Sequence, residues 1–183
     1  MRRLAAVTLV VLAATIGSHT AAAAHGGLTD ARHFDPFRVY FAGKRVLGLR
    51  LARIDVLGDG RRAEIVAQYG KCEDSPGGGC GYELQISSTS ICRTYPGIYF
   101  SPPKLRPIRG ARGGWVRTAR IFDVYTGHTA VSILGPSQHR AERVAFELEN
   151  VRRGRREPLL PAVKQKFLDG RARCQRGQPI PAP

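Results

Sequence analysis

Acidic residues are scarce in this chain of 183 residues: 14 Asp+Glu stand against 29 Lys+Arg, for a formal net charge of +15. That balance excludes an acidic disordered tail, and the length prior leaves room for about one domain. Long hydrophobic runs are missing after Ile16, where no stretch approaches the roughly 20 apolar residues of a membrane-spanning helix, so a polytopic membrane protein is excluded. Familiar catalytic signatures are missing too. There is no G-x-S-x-G elbow, no G-x-x-x-x-G-K-[ST] loop, no H-E-x-x-H and no G-x-G-x-x-G after a strand. Cysteine is sparse and has no C-x-x-C spacing, which argues against zinc. No metal and no cofactor is expected.

What is present begins with a leader pattern. Met1-Arg2-Arg3 is a short positive segment, Leu4 to Ile16 an apolar run of 13 residues, and Ala21 to Ala24 a set of small residues of the kind a signal peptidase reads. A signal peptide over residues 1–24 is expected, and with it a secreted or extracytoplasmic location in the cell envelope. Its removal takes Arg2 and Arg3 and leaves a net charge of +13. In an oxidising compartment the four cysteines, Cys72, Cys80, Cys92 and Cys174, are expected to form two disulfides. The flexible stretch Glu73 to Gly79 favours Cys72 with Cys80, which leaves Cys92 for Cys174.

Hydrophobic patterning predicts mostly strands. Phe37 to Phe41, a Gly43-Lys44 turn and Val46 to Leu51 read as a first hairpin. The apolar phase shifts between Leu51 and Ile54, which predicts a bulge near Ala52 or Arg53. Gly58-Asp59-Gly60 leads into Ala63, Ile65, Ala67 and Tyr69, alternating with polar positions. Tyr82, Leu84 and Ile86 alternate in the same way. Residues 94–114 hold four prolines and four glycines and read as loop, with a short strand expected around 104–108. Trp115 to Tyr125 and Thr129 to Leu134 read as strands around a Thr126-Gly127-His128 turn. Ser137 then caps a helix with Ala141, Val144, Ala145, Leu148 and Val151 on one face, ending at Gly154. The expected fold class is α+β: a mainly antiparallel sheet built from hairpins, one main C-terminal helix and two disulfides. The expected layout is a flexible segment at 25–35, one domain over 36–174 and a disordered tail at 175–183.

Gly70-Lys71-Cys72, Gly79-Cys80, Cys92, Tyr125-Thr126-Gly127 and Leu168 to Cys174 resemble small secreted proteins of high-G+C Gram-positive bacteria. The resemblance spans about residues 37–174. That family has no established activity, so the resemblance implies a compartment and a disulfide framework and carries over no catalytic residue.

The candidate binding residues are cationic. Arg93, Lys104, Arg106, Arg109, Arg112, Arg117 and Arg120 lie between Glu83 and Asp123 with no acid among them, and Tyr95, Tyr99, Phe100 and Trp115 are interleaved. Such a run concentrates anionic polymers by a salt-sensitive field and offers rings for stacking beside the charges. Arg152 to Arg156 and Lys164 to Arg173 form two further clusters. The expected function is a basic, non-enzymatic envelope or extracellular protein that associates with anionic polymers or lipid headgroups. Physiological nucleic acid is not expected, because no RRM, helix-turn-helix or zinc-finger pattern is present. The alternative is a small secreted hydrolase or ligand-binding enzyme with its site near His128 or the 94–114 loop.

Overall fold

The computed structural model describes residues 27–74, 80–99, 101–135, 137–153 and 158–169, without the side chains of Asp74 and Cys80. The expected signal peptide and the 175–183 tail lie outside them. Its centre is an eight-stranded antiparallel sheet, β2 (Arg45–Val46), β3 (Leu49–Leu57), β4 (Glu64–Asp74), β5 (Cys80–Ser90), β6 (Arg106–Ile108), β7 (Ala111–Val116), β8 (Ile121–Thr126) and β9 (Thr129–Leu134), in the order β2-β3-β4-β5-β9-β8-β7-β6. A second, two-stranded sheet joins β1 (Tyr40–Phe41) to β10 (Glu149–Asn150). Three short helices are described: α1 (Leu28–His33), α2 (Gln138–Phe146) and α3 (Gln165–Leu168).

Alternation divides the large sheet into two unlike faces. Ile54, Ile65, Ala67, Leu84, Ile86, Val131, Ile133, Phe122 and Val124 share one face by register and are buried. Ala141, Val144 and Ala145 of α2, together with the segment from Phe37 to Ala42, belong to the same core. The 37–42 segment is fixed by two side chains of the sheet. Ser88 Oγ accepts from the Tyr40 N–H at 2.9 Å and donates to the Tyr40 carbonyl at 3.2 Å. The Tyr69 hydroxyl accepts from the Ala42 N–H at 2.8 Å and donates to the Gly43 carbonyl at 3.1 Å; burial pushes its pKa up. The opposite face carries Asp123, Ser132, Tyr125, Thr89 and Gln68, and the 91–105 segment packs against part of it. Gly113 and Gly114 permit close approach on both faces. A Cβ on Gly113 would stand 2.9 Å from Phe122 Cε1, and one on Gly114 2.7 Å from the Lys104 carbonyl.

The expectation of one main C-terminal helix is corrected to three short helices on a mostly antiparallel sheet, and the two-disulfide framework is not seen among the described residues. Helix α2 starts as its Ser137 cap predicts, with Ser137 Oγ accepting from the Arg140 N–H, but it stops at Phe146. In a continuing helix the carbonyls of Phe146 and Leu148 would accept from N–H groups four residues on. Instead the Arg109 guanidinium donates to both, at 3.1 and 2.6 Å. Asn150 is thereby left to pair with Tyr40 as a strand. No described pair of cysteines stands at bonding distance. Cys72 and Cys92 are not free thiols, and their expected partners, the Cys80 side chain and Cys174, lie outside the described residues.

The first hairpin is also displaced. Residues 40–41 pair with β10, and the turn between β2 and β3 is Leu47-Gly48, both at positive φ. The bulge falls between Leu51 and Arg53, as the phase shift predicts. The run from Trp115 to Tyr125 is interrupted by a turn at residues 117–120, where Arg120 has φ 55°. Among the described residues no helix is long and apolar enough to cross a membrane.

Gly114→Ala is expected to cost about 1–3 kcal/mol, because its Cβ would meet backbone that cannot rotate away. Arg112→Ala, two positions along on the same face and exposed, is expected to stay within about 0.5 kcal/mol of wild type. Urea denaturation of the two variants checks the contrast.

Candidate functional site

The seven cations that are consecutive in sequence do not form one patch. Arg106 projects to the helix-covered face, where it pairs with Glu142 and stands over the Phe122 ring at 5.7 Å. Arg109 is consumed in structure: besides the two carbonyls at the end of α2, its Nε donates to the Pro158 carbonyl at 3.1 Å. Arg93 is at one end of the sheet, 3.6 Å from Glu64 and donating to the Arg62 carbonyl at 2.7 Å. Lys104 and Arg112 are exposed on the polar face, while Arg117 and Arg120 occupy the β7–β8 turn at the other end. The interleaved rings are separated as well. Tyr95 is buried, Trp115 packs on the main core, and Phe100 lies outside the described residues.

Tyr99 reaches a buried acid. Asp123 is 0% exposed, and its carboxylate accepts from the hydroxyls of Tyr99 at 2.7 Å, Tyr125 at 2.9 Å and Ser132 at 2.7 Å. Burial pushes the Asp123 pKa up, and the three hydroxyls oppose that shift without cancelling it. Burial and the Asp123 charge raise the pKa of Tyr99 and Tyr125 well above the ordinary phenol range. This cluster secures the 91–105 segment to the sheet, and Asp123 is sealed from substrate. Glu64 and Glu83, two further strand acids, are on the same polar face as Asp123: Glu64 meets Arg93, and the Glu83 carboxylate lies against Gly70 at the β4 bulge.

A cleft of about 740 Å³ opens at the sheet end that carries Arg93 and the Gly127-His128 turn. One wall is the 35–40 segment, located by the Thr129 hydroxyl donating to the Arg38 carbonyl at 3.0 Å and by the Val151 N–H donating to the Val39 carbonyl. The other wall is residues 161–167. It is tied down by the Gly127 N–H on the Pro161 carbonyl at 3.0 Å, and just before it the Leu160 N–H donates to the Arg109 carbonyl at 2.6 Å. The floor includes Tyr40, Ser90, Ile91, Thr126 and Thr129. The His128 ring stands edge-on to Phe167, centroids 5.4 Å apart.

The lining is strongly cationic. Arg38, Arg61, Arg152, Lys164 and Lys166 come from four separate segments, and Asp35 is the one acid among the described lining residues. Asp35 is paired with Arg152, whose Nη2 also donates to the Phe34 carbonyl at 2.7 Å. Lys166 Nζ is 5.5 Å from the Phe167 centroid. Of these cations, sequence clustering marks Arg152, Lys164 and Lys166; Arg38 lies apart from the basic clusters, and Arg61 has only Arg62 beside it. Among the described residues, no group of three or more His, Cys, Asp or Glu is placed to hold a metal ion. Comparison with protein-family models, curated proteins and solved structures gives no match.

The Asp123 site makes stability depend on pH. A carboxyl whose folded pKa is raised favours folding below its unfolded pKa, near 3.9, and loses that contribution as pH rises through the folded value. The unfolding free energy of wild type relative to Asp123→Asn is therefore expected to increase as pH falls from 7 toward 4. Paired urea titrations across that range check it; a difference independent of pH contradicts it.

Proposed function

We propose that this is a non-enzymatic, basic protein of the cell envelope or extracellular space that holds an anionic envelope component in the cleft at the end of its sheet. The observation that carries this reading is the convergence of Arg38, Arg61, Arg152, Lys164 and Lys166, from four segments, around one concavity with a single described acid. Low-dielectric walls focus the field of such a set, so a concave site concentrates anions more than the same charges spread on a convex surface. The leader pattern at residues 1–24 and the resemblance to secreted proteins of high-G+C Gram-positive bacteria support the location. Teichoic acids, acidic glycans and anionic lipid headgroups are the partners of suitable charge in that compartment.

The cleft also lies beside His128, where the alternative enzyme reading puts its site. The strongly perturbed carboxylate, however, is Asp123, which is sealed beneath Tyr99. A perturbed group accessible from the cavity is the usual mark of an active site. Binding therefore accounts for more of the geometry than hydrolysis does.

Two triple variants of equal charge separate the cleft from general basicity. Arg38, Lys164 and Lys166 changed together to Ala are expected to elute from a heparin or teichoic-acid column at clearly lower salt than wild type. Lys104, Arg117 and Arg120 changed together are expected to shift elution less. Equal shifts for the two triples contradict a located site.

A further inference from the structure

The threonine hydroxyls inside the cleft are committed to the protein itself. Thr129 has given its hydroxyl proton to the Arg38 carbonyl and Thr126 its own to the Thr129 carbonyl, at 3.0 and 3.2 Å. Ser90 Oγ accepts from the Cys92 N–H. A saccharide bound across such a surface would find few partners for its hydroxyls, and each one left unmatched on burial would cost affinity. Phe37, Ile91, Phe167, Pro36, Pro161 and Ala162 supply an apolar lining between the charges. At about 740 Å³ the space falls within the range of about 300–1,000 Å³ that accommodates a drug-sized ligand.

Cations joined to an apolar interior, with both threonine hydroxyls already donating to backbone carbonyls, match one class of ligand. Resting on the anion-binding reading above, we propose that the cleft takes a single amphiphilic anion: a phosphate or carboxylate against Arg38, Lys164 and Lys166, with an alkyl or similar apolar body against Phe37, Ile91 and Ala162. The ligand is one molecule accommodated in the cleft and not the surface of a bilayer. Arginine offers its planar fork to the anion and lysine a mobile point charge, so either acid group is accepted. The edge-on His128–Phe167 pair borders the cavity where the apolar body would lie.

Calorimetric titration with dodecyl phosphate, kept below its micellar concentration, tests this against ethyl phosphate. Dodecyl phosphate is expected to bind about a hundredfold more tightly, the gain that roughly four buried methylenes supply. Ala162 is exposed, so Ala162→Trp is expected to fold, to fill the apolar part and to abolish the chain-length gain. Equal affinity for the two phosphates overturns the proposal, as does a chain-length gain that survives in Ala162→Trp. Equal binding of dodecyltrimethylammonium, which carries the opposite charge, overturns it too. Sedimentation with phosphatidylglycerol vesicles but no binding of monomeric dodecyl phosphate assigns the affinity to a membrane surface and overturns it as well. In these cases retention on heparin that remains sensitive to the Arg38, Lys164 and Lys166 triple leaves the anion-binding reading standing; loss of that retention removes both.

Discussion

One guanidinium holds together the parts on which the cleft depends. Arg109 sits in the two-residue turn between β6 and β7, where it and Gly110 both have positive φ, 47° and 93°. From there it donates to the carbonyls of Phe146, Leu148 and Pro158, while its own carbonyl accepts from the Leu160 N–H. The end of α2 presents unpaired carbonyls with partial negative charge, and a cation there is favourable. Hydrogen bonds from a charged group contribute about 1.5–3 kcal/mol each, more than neutral ones. The contact stops the helix, frees Asn150 to pair with Tyr40 and brings the 158–169 segment onto the sheet end. Both walls of the cleft follow from it: β1–β10 pairing leads into the 35–40 wall, and Leu160 leads into the 161–167 wall.

A second constraint acts on the other face of the sheet. Alternation makes one face of β8 apolar through Phe122 and Val124 and leaves Asp123 and Tyr125 on the other. A carboxylate without partners there would cost several kcal/mol. Three hydroxyls offset much of this, and the one from Tyr99 draws the 91–105 segment down onto Gly114, the position at which the sheet has no side chain in the way. The residues that cover the polar face are thus set by one acid, and the same acid is unavailable for chemistry because of them.

Period-two patterning made β4 and β5 legible in the sequence, since in each apolar residues alternate with polar ones. The Gly58 turn and the bulge before Arg53 were legible for similar reasons: each is a local break in phase. What escaped depends on contacts between distant residues. Phe37 to Phe41 alternates well enough for a hairpin, yet Tyr40 pairs with Asn150 across more than 100 residues. Leu148 and Val151 continue the helical phase of α2 and are buried as that phase demands, but Arg109 has already ended the helix. The candidate site divides in the same way. A run of seven cations without an acid is conspicuous in sequence, but strand alternation and two turns send its members to both faces and both ends of the sheet. The cleft cations converge only in the fold: Arg38 and the Arg61-Arg62 pair lie outside the three basic clusters.

The central claim is the location of anion binding, and a two-dimensional 1H–15N titration of the labelled protein with dodecyl phosphate tests it most directly. The account predicts saturable shifts confined to Arg38, Gly127 to Thr129 and Lys164 to Phe167, with Lys104, Arg112, Arg117 and Arg120 unmoved. Shifts centred on those four residues instead, with the cleft silent, would contradict it.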